Sequence, residues 1–80
     1  MLKSKVRDYC SRNDLTYVYG VVTDAGVFFC TVNNETLRYT MYVMHDDKVE
    51  VASDNFDVIV AKFKKETMLG IGGKLIEDVK

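Results

Sequence analysis

The sequence predicts a small α+β domain: an N-terminal helix, a four-stranded antiparallel β-meander and a C-terminal helix, followed by a short last helix or a frayed tail. Three observations predict it. Apolar residues recur at helical spacing near the two ends of the chain, four apolar or alternating runs lie between them, and short Asp/Asn/Gly clusters join those runs. The chain has 80 residues, of which 48% are hydrophobic and 29% charged. That is the ordinary globular balance and room for one core, so residues 1–80 form a single domain. No proline, repeat or low-complexity tract marks a boundary inside it.

Leu2, Val6, Tyr9 and Cys10 make one apolar stripe of a first helix, with Lys3, Lys5, Arg7, Asp8 and Arg12 on its other side and an end near Asn13. Leu15 to Val22 is rich in β-branched and aromatic residues and apolar on both parities, as in a central strand. It stops at Asp24-Ala25-Gly26. A second strand runs from Val27 to Val32 and closes at Asn33-Asn34-Glu35, where asparagine is expected to supply the positive φ of a tight turn. In the third strand Leu37, Tyr39, Met41 and Val43 alternate with Arg38, Thr40, Tyr42 and Met44, and His45-Asp46-Asp47 turns it into Lys48 to Ala52. There Val49 and Val51 are expected to point inward, Lys48 and Glu50 outward.

Residues 55 to 69 suit a strand at Val58-Ile59-Val60 but a helix through the stripe Phe56, Ile59, Val60 and Phe63. A cap at Ser53 or Asp54, Asp57 in the first turn, lysines in the later turns and Gly70 at a left-handed C-cap decide for the helix. Lys74 to Val79 comes next, anchored by Leu75, Ile76 and Val79.

Charge excludes little globally: 11 Lys and Arg stand against 12 Asp and Glu, a formal net charge of −1. Its distribution is uneven. Residues 1–13 place Lys3, Lys5, Arg7 and Arg12 against Asp8, residues 14–61 place Arg38 and Lys48 against eight carboxylates, and the remainder is again basic. The N-terminus lacks the apolar run of a secretion signal and no stretch reaches the length of a membrane span, so a cytoplasmic protein with no membrane role is expected. Two cysteines, Cys10 and Cys30, are too few for a disulfide framework and read as small hydrophobes.

Catalytic chemistry needs converging titratable groups, and the chain offers one histidine, His45, beside Asp46 and Asp47 in a turn. No nucleophile elbow, no Cys/His pair in a recognisable context and no metal-ligand spacing is present. The expectation is therefore no enzyme, no metal and no cofactor. The segment Gly70-Ile71-Gly72-Gly73-Lys74 joins two helical stretches, and its glycines would let a backbone phosphate approach. Through Gly70, Gly73, Lys74, Ile76 and Val79 it resembles the Gly-x-x-Gly loop and following helix of a KH domain. That resemblance implies nucleic-acid contact by Gly70, Gly72, Gly73 and Lys74, with Lys62, Lys64 and Lys65 nearby. The sequence favours a plainer reading of the same glycines, a helix C-cap followed by a tail.

The leading expectation is different. Two helices on one face of the sheet would leave the other face open, and the strands are apolar on both parities. A partner, another protein or a second copy forming a homodimer, would cover an apolar patch of Val18, Tyr19, Val22, Tyr39, Tyr42 and Met44. A small protein-binding regulator or inhibitor, of the kind bacteria or phages use as accessory factors, fits these features; nucleic-acid binding through the glycine loop is the alternative.

Overall fold

The computed structural model describes residues 2–69 and 74–75, with side chains described over 4–64. The order is α1 (Leu2–Arg12), β1 (Leu15–Thr23), β2 (Gly26–Asn33), β3 (Tyr39–His45), β4 (Lys48–Ser53), α2 (Phe56–Leu69) and β5 (Lys74–Leu75). The strands form one antiparallel sheet in the order β4-β3-β2-β1-β5. The helix, four-stranded meander and helix are thus the expected α+β fold. Among the described residues no helix is long and apolar enough to cross a membrane.

At its C-terminal end the chain departs from expectation. Lys74 and Leu75 are extended and pair with Val22 and Val21 of β1, where a last helix was expected to begin. An exposed strand edge offers unpaired backbone groups to any neighbouring segment, whereas a helix of one or two turns nucleates poorly by itself. The anchors Ile76 and Val79 lie outside the described residues.

β2 occupies the middle of the sheet, and its alternation sorts the whole core. Val27 and Phe29 face α1, joining Val6, Cys10, Leu15 and Met44 in one buried cluster. Phe28 and Cys30 face the other way and meet Val21, Met41, Ile59 and Phe63 beneath α2. The helices therefore cover opposite faces, not the same one, which corrects the picture of a sheet with one open side. Strands apolar on both parities are the sequence signature of a sheet covered on both faces. On the α1 side Tyr9 sets its ring edge against Phe29 and Tyr42, with centroids 6.0 and 5.4 Å apart.

Short connections carry specific backbone demands. Asp14 takes φ 54° where α1 ends, and Asp46 and Asp47 take 50° and 67°, the double left-handed pair that matches strand twist in a two-residue hairpin. Lys5 of α1 bonds the Asp47 carboxylate, holding its pKa below the usual value. In the β2–β3 connection the asparagines do not adopt positive φ; Leu37 does, at 61°. Asn33 instead accepts the Glu35 and Thr36 amides on Oδ1, both at 2.9 Å. The Asn34 side chain donates to Asp14 Oδ1 at 3.0 Å, which ties this loop to the end of α1. α2 is capped by Asn55, not by Ser53 or Asp54: Asn55 Oδ1 accepts from the Asp57 and Val58 amides at 2.9 and 3.2 Å.

Two strand expectations are also corrected. Leu37 lies outside β3 and is 71% exposed. Val51 shares the α1 side with Val49 through its pairing with Tyr42, yet it is exposed, because α1 packs mainly over β1 and β2 and stops short of the β4 edge.

Two substitutions read these turns. A Cβ on Gly26, whose φ is 127°, would stand 2.6 Å from the Met44 carbonyl oxygen. Gly26→Ala should therefore lower unfolding free energy by about 2 kcal/mol or more in urea titration, since the backbone must shift. Leu37→Gly should raise it by about 0.5–1 kcal/mol in the same assay, because glycine adopts a left-handed φ without the penalty leucine bears.

Candidate interaction groove

The feature most able to bind something is an apolar groove of about 490 Å³ along one flank of α2, lined by Val18, Tyr19, Cys30, Tyr39, Phe56, Ile59, Val60, Phe63 and Lys64. Local structure explains each side of it. Tyr17 pairs with Thr31 and Tyr19 with the next residue, Cys30, so Val18 is the extra residue of a β-bulge. The bulge brings Val18 to the same side as Tyr19. On β3 Tyr39 stands at the start of the strand opposite Val32. Along α2 Phe56, Val60 and Lys64 recur every fourth residue and so form one ridge of the helix.

Aromatic contacts hold the walls. Tyr39 and Phe56 stand 5.0 Å apart between ring centroids, and Tyr19 meets Phe63 edge-on, also at 5.0 Å. Ile59, Phe63 and Cys30 form the buried floor, while Val18 is 46% exposed, Tyr39 39%, Phe56 54% and Val60 45%. Lys64 is the one charged residue among the lining residues described. On the other flank of α2 the Lys62 amine lies over the Phe28 ring, 4.4 Å from its centroid.

The six residues expected to share one patch divide between the two faces of the sheet. Val18, Tyr19 and Tyr39 line the groove. Val22, Tyr42 and Met44 lie under α1, packed in or against the cluster of Val6 and Phe29, and burial raises the Tyr42 pKa. Phe56 and Val60 complete the groove although the sequence places them in the same stripe as the buried Ile59 and Phe63. That stripe is wider than one helix can press onto a sheet, which is the signal that part of it stays uncovered.

Of the glycine loop, Gly70, Gly72 and Gly73 lie outside the described residues, as does the side chain of Lys65, and Lys74 is backbone-paired to β1. His45 is the exposed last residue of β3, with Nδ1 3.3 Å from Asp46 Oδ2 in the following turn. No group of three or more His, Cys, Asp or Glu converges among the described residues. A second cavity, of about 570 Å³ between α1 and the β3–β4 turn, has Lys5, Asp8, Arg12 and Asp47 around it. Those charges already pair as Lys5 with Asp47 and Arg12 with Asp8, leaving little for a ligand.

Compared with known proteins, the chain matches no family model, no curated protein and no solved structure. The groove must therefore be read from its own chemistry: apolar walls, phenol groups at two positions and a cation at one end of a helical ridge.

Burial pushes the Cys30 thiol up to about 11 from 9.0. Cys10 is raised for the same reason, partly countered by Arg7. An unfolded chain would lose the Cys30 proton near pH 9 while the folded chain keeps it to about 11. Stability should thus be intact below pH 9 and fall between pH 9 and 11, with a slope approaching ~1.4 kcal/mol per pH unit. Denaturant titrations of Cys30→Ala against the parent chain should show a shallower fall; an unchanged pH dependence would contradict the buried thiol.

Proposed function

We propose that this chain is a non-enzymatic protein-binding module that acts through the groove beside α2, in the manner of a regulator or inhibitor. The observation that carries the reading is the row of large apolar side chains left open there: Val18, Tyr39, Phe56 and Val60 are each more than a third exposed and lie side by side. Isolated exposed hydrophobics are common, but a contiguous set around a concave apolar floor marks an interface. Covering each of these side chains contributes on the order of 1–2 kcal/mol, and aromatic anchors in such pockets dominate binding energies.

The titratable groups described in the groove are Lys64, the two phenols and the buried Cys30 thiol, whose pKa is raised, a set that favours recognition over reaction. Such a module works by occupying a partner's apolar segment, so its effect is to sequester or to block. This keeps Val18, Tyr19 and Tyr39 of the expected patch as interface residues and adds Phe56 and Val60.

Site-specific photo-crosslinking in the source cells tests the reading. A photoreactive amino acid at position 18 or 60 should give a discrete crosslink to another protein, and one at Asp24, in the β1–β2 turn, should not. Adding Val60→Asp to the position-18 variant should abolish that crosslink while the circular dichroism and melting curve stay close to those of the parent. Equal crosslinking at Asp24, or none at positions 18 and 60, would refute the groove as the interface.

A further inference from the structure

Resting on the groove as a protein-binding site, we infer that its occupant is an amphipathic α-helix that lies alongside α2 on the sheet and carries carboxylates at one end of its apolar stripe. Three observations converge on that partner. The first is space. Where Val32 pairs with Tyr39 the sheet is three strands, β1 to β3, about 10 Å across at a spacing of about 4.8 Å, and a helix with its side chains is also about 10 Å across. α2 is the one helix on its side among the described residues, and Val18, Val32 and Tyr39 lie beyond what it buries. The uncovered strip is as wide as one more helix.

The second is the hydrogen-bonding character of the walls. The floor is the face of β1 to β3, where the central β2 spends its backbone groups on both neighbours, and the flank is a helix whose backbone bonds are internal. An extended segment laid there would bury unpaired amides and carbonyls, at a penalty of about 1–3 kcal/mol each. A helix satisfies its own backbone and presents only side chains, which is what this groove can receive.

The third is the pattern of the α2 ridge. Phe56, Val60 and Lys64 read apolar, apolar, cationic at four-residue spacing, the row that a neighbouring helix packs against. A complementary ridge carries two apolar residues four apart and, one turn further, an Asp or Glu that reaches Lys64. Lys64, the one charged residue among the described lining residues, favours an acidic flank over a basic one.

Three synthetic peptides of about 16 residues, some four turns long, test this with the intact chain. The first is a hydrocarbon-stapled helix with Leu at i, i+4 and i+7 and two Glu at the end of that stripe. In the second both Glu are replaced by Lys, and in the third a central proline breaks the helix. Backbone amide NMR shifts and fluorescence anisotropy are read together, with sedimentation of the unliganded chain as a control.

The first peptide should shift the amides of Val18, Tyr39, Phe56, Val60 and Lys64 and bind about tenfold more tightly than either of the others, with the difference from the second shrinking in high salt. Lys64→Glu should reverse the order of the first two. Equal binding by the proline-broken peptide would overturn the helical partner, and equal binding by the Lys peptide would overturn its acidic flank. A dimer in sedimentation whose interface shifts the same amides would assign the groove to a second copy and overturn the inference. If no peptide shifts the groove the inference also fails, and the crosslinks at positions 18 and 60 then decide separately whether the groove binds protein at all.

Discussion

Burial of β2 on both faces is the constraint on which the rest of this structure depends. Phe29, with no exposed surface, packs toward α1, and its neighbour Cys30, 4% exposed, packs toward α2. A strand apolar on both parities cannot be satisfied by one layer of helix. With two helices available, each face receives one, α1 mainly over β1 and β2 and α2 mainly over β3 and β4.

One helix per face is enough to close the centre but not the margins. On the α1 side the shortfall is small, because Tyr9, Tyr17 and Tyr42 spread over the sheet and leave chiefly Val51 exposed. On the α2 side it is larger. The bulge sets Val18 on the same side as Tyr19, next to a helix whose outer ridge is still apolar at Phe56 and Val60, and Tyr39 and Phe56 pack together at the far end. The groove is the difference between the apolar surface the strands present and the width a single helix covers.

Charge reinforces that asymmetry. The ion pairs of the α1 side, Lys5 with Asp47 and Arg12 with Asp8, close on themselves within the fold. Such exposed pairs add little stability. In the groove, by contrast, Lys64 stands among apolar side chains, so a partner is sorted both by its apolar anchors and by the sign of the charge beyond them.

Element order from α1 through α2, boundaries to within two residues or so and the α+β class were legible in the sequence, because period-two and period-3.6 patterns and Asp/Asn/Gly turns are local properties. So were three of the groove residues, Val18, Tyr19 and Tyr39, as apolar strand positions in excess of one core. Which face each helix takes was not legible. That choice depends on how the two-residue connections at Asn13-Asp14 and Asp54-Asn55 aim each helix once the strands have paired. Whether Phe56 and Val60 are core or surface depends on it too, since the same stripe serves both ends until a sheet of definite width lies beneath it. The β5 pairing is decided in the same way, by a β1 edge that exists only after the sheet has formed. Local sequence thus determined the pieces and their apolar faces; only the packed sheet, with its finite width and its free edge, decided which of those faces remain to be used.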